Sequence, residues 1–185
     1  MISLSHQSLL CDTLGVMDFA DAQTIQRIFD SCRIIAVVGL SGMVSRPSYR
    51  VAAYMQEHGY TIIPINPNER DVLGQLAYPT LTSVPGPIDL VNVFRRSEAV
   101  PAVVEEAIVM GARAVWLQEG IVHEDSARRA VAAGLLVVMD RCWLKEHRHR
   151  PGSSDSRRSA PVDSSAHVFY LKRSWSTWRT PSSNG

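Results

Sequence analysis

Four short stretches of this chain carry residue types suited to holding anions and polar ligands. They are Gly39-Leu40-Ser41-Gly42 running on to Arg46-Pro47-Ser48, then Asn66-Pro67-Asn68, Phe94-Arg95-Arg96 and Gln118-Glu119-Gly120. Small residues let a backbone pass close to a ligand. Pro47 has the fixed φ that suits a first helical position, so the first stretch leads into a helix N-terminus, where unpaired amides favour an anion. The guanidinium groups of Arg46, Arg95 and Arg96 offer planar sets of donors to phosphate oxygens. The chemistry open to such a set is the holding of a phosphorylated nucleotide cofactor. For any one of these arginines, a solvated surface charge is the plain alternative.

Side chains able to break bonds are scarcer. A dinucleotide fingerprint G-x-G-x-x-G begun at Gly39 meets Ser41 and Val44 where glycines are wanted. The acidic residue that reads a ribose diol at the end of the second strand is replaced by Asn66. A serine-hydrolase elbow fails because Met43 stands where its last glycine belongs; Ser41 reads as a phosphate donor or a turn residue. His58, His123, His147 and His149 have no sequence reason to meet a nucleophile, and Glu119 is an acid or an orienter of a neighbouring amide. Neither H-E-x-x-H nor paired metal-ligand spacing occurs, so no catalytic and no metal-binding residue is assigned. A binding module fits this pattern best.

The elements that must position these stretches are legible in the hydrophobic pattern. Ile34–Val38 is a run of five aliphatic residues, as expected of a strand covered on both faces. Helix then follows from Pro47 to His58, ended by Gly59, and a second strand spans 60–65. Turn-rich sequence over 71–87 reads as a connector. A third strand covers 88–94, interrupted by Asp89 and Asn92, and leads to a helix stopped by Gly111. A fourth strand, Arg113–Leu117, a helix over 124–133 and a fifth strand, Leu135–Met139, complete the series. An earlier helix, capped by Asp18 and running to Phe29, is expected at the sheet edge. Strands alternating with helices predict an α/β, Rossmann-like, doubly wound parallel sheet of five strands, with helices on both faces. In such sheets the ligand lies beyond the carboxyl ends of the strands, which is where all four stretches fall.

With 185 residues, one domain plus extensions is expected: an arm over 1–17, the domain over 18–148, and a tail over 149–185. Ten serines and three prolines in the tail favour disorder, while Trp175 and Trp178 leave a docking peptide open. Hydrophobic residues at 45%, charged residues at 20% and a net charge of +1 give no global field for nucleic acid or anionic lipid. The three cysteines, Cys11, Cys32 and Cys142, suggest no disulfide framework, and a reducing cytoplasm is expected. No run approaches the roughly 18 apolar residues of a membrane span.

From about Ile34 to His147 the sequence resembles the small stand-alone CoA-binding proteins, whose fold is that of the CoA-binding domain of the succinyl-CoA synthetase alpha subunit. The resemblance rests on Val37-Val38-Gly39-Leu40-Ser41 with Arg46-Pro47-Ser48-Tyr49, on Pro64-Ile65-Asn66-Pro67-Asn68, and on Asp89-Leu90-Val91 with Phe94-Arg95-Arg96-Ser97. It continues through Trp116-Leu117-Gln118-Glu119-Gly120 and Met139-Asp140-Arg141-Cys142. It implies that the first loop meets the pyrophosphate of coenzyme A or an acyl-CoA. Asn66 to Asn68, Phe94 to Arg96 and Gln118 to Gly120 would line the nucleotide and pantetheine path. Full synthetases add a second domain with a phosphorylated histidine and a partner subunit, so thioester synthesis by this polypeptide alone is not expected. The alternative is an enzyme of the same fold, either a divergent dehydrogenase or an acyl-CoA synthetase subunit. An interaction protein that kept the fold without the ligand is a third reading. A homodimer or an unidentified protein partner is left open.

Overall fold

A computed structural model describes residues 18–150, so the expected N-terminal arm and most of the expected tail, with Trp175 and Trp178, lie outside the described residues. The first helix, α1 (Ala22–Ser31), starts three residues later than the pattern suggests. Its cap is Asp21, which accepts from the Thr24 amide at 2.9 Å, while Asp18 accepts from the Ala20 amide one turn earlier. β1 (Ile34–Val38), α2 (Pro47–Glu57) and β2 (Thr61–Ile65) form the first βαβ unit. The connector holds a small hairpin, β3 (Asp71–Val72) with β4 (Gln75–Leu76), and a single 3-10 turn at Leu81–Ser83. Then come β5 (Leu90–Val93), α3 (Val100–Val109), β6 (Ala114–Leu117), α4 (Glu124–Ala132), β7 (Leu136–Val138) and α5 (Trp143–Arg148).

The five main strands are all parallel, in the order β2-β1-β5-β6-β7. The chain therefore moves one way from β1 to β2 and the other way from β1 to β5. This reversal places a crevice at the carboxyl ends of β1 and β5, as doubly wound sheets require. Asp89, just before β5, fixes the opposite end: its Oδ2 accepts from the amides of Arg33 and Ile34, each at 2.9 Å.

Alternation along each strand divides the core. Ala36, Val38, Val91, Val93, Val115 and Leu117 face α3 and α4. Ile35, Val37, Leu90, Trp116 and Val138 face α1, α2 and α5. Trp116 and Trp143 have no exposed surface, and Phe29 of α1 packs on both, with ring centroids 5.7 and 5.2 Å away. Each such side chain contributes about 1.5–3 kcal/mol through burial. They anchor α1 and α5 beside the strand ends.

Candidate functional site

A cavity of about 1170 Å³ opens at the carboxyl ends of the strands, between α2 and α5. Residues after β1 (Gly39, Ser41), after β5 (Phe94, Arg95, Arg96), after β6 (Gln118, Glu119, Gly120) and after β7 (Cys142) form its inner wall. Arg46, Pro47, Ser48 and Tyr49 line it from the start of α2. Three of the four stretches singled out in the sequence thus meet in one space.

The fourth does not. Asn66, Pro67 and Asn68 are absent from the lining, as are Leu40 and Gly42. Asn66 is buried and works within the protein: its Nδ2 donates to the Leu40 carbonyl at 2.8 Å, and its Oδ1 accepts from the Asn68 amide. Leu40 is a fully buried peg. The Gly42 amide donates to Glu69 Oε1. The turn after β2 therefore braces the loop after β1 from behind.

Gly39, in the cavity wall, is also held by its neighbour. Its φ is +85°, and a Cβ there would come within 2.7 Å of the Phe94 carbonyl oxygen. Any larger residue would force apart the two loops at the switch point. Beyond it, Ser48 Oγ accepts from the Ser41 amide at 3.3 Å and Ser41 Oγ accepts from the Met43 amide at 3.2 Å. α2 then opens at Pro47 with no side-chain cap from Arg46. Its first-turn amides are the part of the wall best suited to an anion.

The charge in the cavity is strongly one-sided. Arg46, Arg50, Arg95, Arg96, Lys145 and Arg148 line it, against only Glu57 and Glu119. Lys145 Nζ bridges the Glu119 carboxylate at 2.6 and 2.9 Å. That hydrogen bond, aided by the charge of Glu119, raises the Lys145 pKa and keeps it cationic. Arg148 lies over the Tyr54 ring, 5.0 Å from its centroid. Opposite, Gly120 donates its amide to Asp140 Oδ1 at 2.7 Å, and Asp140 holds a positive φ of 57° to reach it. That strained residue locks the loop after β6 to the loop after β7.

The wall from α5 was not foreseen. At six residues, the helix is too short to show a period, yet it brings Leu144, Lys145 and Arg148 to the cavity beside Cys142. The Met139-Asp140-Arg141-Cys142 segment at the end of a strand was the available signal. Trp143 and His147 dock α5 from the other side. Their rings stack at 4.7 Å, His147 Nδ1 lies 3.2 Å from the Tyr54 hydroxyl, and Phe29 meets His147 edge-on. Burial, aided by the charges of His58, Arg150 and Arg33, lowers the His147 pKa to about 4. His123 is a helix cap: its Nδ1 accepts from the Ser126 amide at the start of α4. Among the described residues no cluster of three or more His, Cys, Asp or Glu could hold a metal ion, and no helix is long and apolar enough to cross a membrane.

Comparison with known proteins covers the same span. A family model described as a CoA binding domain matches residues 33–148. The Bacillus subtilis protein YneT is 44% identical over 123 residues, covering 66% of this chain and 91% of that protein. An ADP-forming acetate–CoA ligase of Archaeoglobus fulgidus is 28% identical over 93 residues, which are 49% of this chain and only 14% of the ligase. Among solved structures, a Pyrococcus horikoshii protein superposes with a TM-score of 0.68 at 33% identity, covering 75% of this chain and 97% of its own.

Proposed function

Since this chain belongs to the CoA binding domain family, we propose that it binds coenzyme A or an acyl-CoA in the cavity at the strand ends, without catalysing a reaction by itself. The observation that carries this reading is the charge of the cavity. Six cationic side chains face two carboxylates there, in a chain whose net charge is only +1. A phosphate-rich ligand needs such separated donors, and the cavity exceeds the volume of an ordinary small-molecule pocket, about 300–1,000 Å³. In this reading the pyrophosphate lies at the start of α2, near Ser41, Arg46, Ser48 and Tyr49. Phe94, Arg95, Arg96, Gln118, Glu119 and Gly120 flank the rest. Leu40, Gly42, Asn66, Pro67 and Asn68 support the loop from behind. Carriage or sensing of a CoA thioester in a reducing compartment is the role that follows.

The test is thermal unfolding with added ligand. CoA or acetyl-CoA raises the midpoint and NAD leaves it unchanged, because a ligand of the native state alone stabilises by RT ln(1 + [L]/Kd). If neither CoA nor acetyl-CoA moves the midpoint, this reading fails.

The likeness to the acetate–CoA ligase favours a second reading, in which the chain is the CoA-holding part of an acyl-CoA synthetase. Formation of acetyl-CoA, ADP and phosphate from acetate, ATP and CoA by a complex of this chain with a nucleotide-binding partner, and by neither polypeptide alone, would favour it over the first.

A further inference from the structure

Charge along α2 runs against the helix dipole. The N-terminal end of a helix favours acids and the C-terminal end favours bases. α1 and α4 start in this way, with Asp21 capping the one and Glu124 and Asp125 opening the other. α2 reverses it. Arg46 stands at the N-cap without a side-chain cap bond, no acid occupies the first turn, no base occupies the last, and Glu57 is the final residue. Arg50 follows one turn after Arg46, its amide donating to the Arg46 carbonyl at 3.3 Å. Like charges at this spacing repel. Neither arginine has an ion-pair partner among the described residues.

These groups share one space, because Arg50 lines the cavity together with Arg46 and Ser48. Helical side chains lean toward the N-terminus, which carries the Arg50 guanidinium back toward Arg46. Ser48, between the two, is 5% exposed. Its Oγ accepts from the Ser41 amide, and its own proton has no acceptor among the described residues. The amides of the first turn have no partner within the helix. Each of these features is unfavourable in the free protein, and a bound phosphate group answers them together. It accepts from the amides and from the Ser48 hydroxyl, and its charge offsets both the dipole and the two arginines.

Resting on the CoA reading above, we propose that Arg50 is a second arginine on the ligand's pyrophosphate, and that this anion is the missing cap of α2. Arg50 is retained at a cost to the stability of the free protein. It sets the affinity for every ligand that carries the pyrophosphate, whatever its 3′ end or acyl group. Substitutions at this position that improve α2 as a helix weaken its hold on the ligand.

The test sets the stability of the free protein against its affinity for ligand. Arg50→Gln removes the repulsion with Arg46, so the melting midpoint of the free protein should rise by about 1 °C, and Arg50→Glu, which turns repulsion into attraction, should raise it by about 1–3 °C. CoA and dephospho-CoA, which share the pyrophosphate, should both bind Arg50→Gln about tenfold more weakly, the scale of one lost charge-assisted hydrogen bond. Arg50→Lys separates contact from mere charge: it keeps the charge and loses the planar fork, and should still weaken both ligands by about threefold or more. Affinities unchanged in Arg50→Gln, or weakened there and fully restored in Arg50→Lys, would overturn the inference while the CoA reading stands. So would a fall in the midpoint of the free variants, or a loss confined to CoA, which would put Arg50 on the 3′-phosphate. If CoA does not bind the unsubstituted protein, both fall.

Discussion

The Gly42 amide donates to the Glu69 carboxylate at 2.8 Å, which sets a negative charge against the back of the loop leaving β1. That loop also leads to the uncapped start of α2, where the proposed pyrophosphate lies. Glu69→Gln keeps an oxygen for the Gly42 amide and removes the charge. CoA affinity should rise by about twofold to fivefold at low salt, the worth of one exposed charge interaction, with the gain shrinking as salt increases. Calorimetric titration at two ionic strengths checks this, and a loss of affinity would refute it.

Arg46 and Arg95 can be separated by ligand chemistry. Arg46 adjoins the first turn of α2, so Arg46→Ala should weaken CoA and dephospho-CoA alike, by about tenfold for a lost charge-assisted pair. If Arg95 pairs with the 3′-phosphate, Arg95→Ala weakens CoA alone. An arginine that is merely solvated changes neither, and binding isotherms for the two ligands tell these cases apart.

Gly39→Ala should destabilise the fold. The new Cβ would press on the Phe94 carbonyl at 2.7 Å and hold a φ of +85° that alanine resists. The expected cost is about 1–3 kcal/mol, a drop of several degrees in the melting midpoint. An unchanged midpoint in calorimetry would contradict the crowding described here.

Stability should depend on His147 under mildly acidic conditions. Its pKa in the folded chain is about 4, against an ordinary 6.5, so the unfolded chain binds the proton more readily. The contribution is therefore fully present above about pH 6.5 and is lost as the pH falls toward 4. Linkage puts the change on the order of 2–3 kcal/mol. His147→Phe keeps a ring between Trp143 and Phe29 and should flatten the stability profile over that interval, as read by urea unfolding at stepped pH.

Legibility in the sequence followed how local each signal was. Ile34–Val38 and Leu136–Val138 are apolar runs that need no partner to be recognised, and the sheet with its ligand-facing end followed from them. Asn66 shows where sequence reasoning stops. Its type and its place at a strand end suit a ligand contact, but a carboxamide binds whatever carbonyl is nearest, and here that is Leu40. Asn92 was visible only as a polar break in a strand, because its partner Gln118 lies 26 residues away. α5 escaped because Trp143 and His147 are held by contacts from α1 and α2, which no six-residue pattern can announce.

The crowding at Gly39 bears on how descendants of this chain should be read. A glycine held in place by the Phe94 backbone is retained by any copy that keeps the sheet, including one that no longer meets a cofactor. Its presence in a distant homologue is a mark of shared architecture and says little about inherited function. Arg46, Arg95 and Arg96, which the fold itself does not require to be basic, are free to drift once binding is no longer selected. Their loss is the trace that a change of trade would leave.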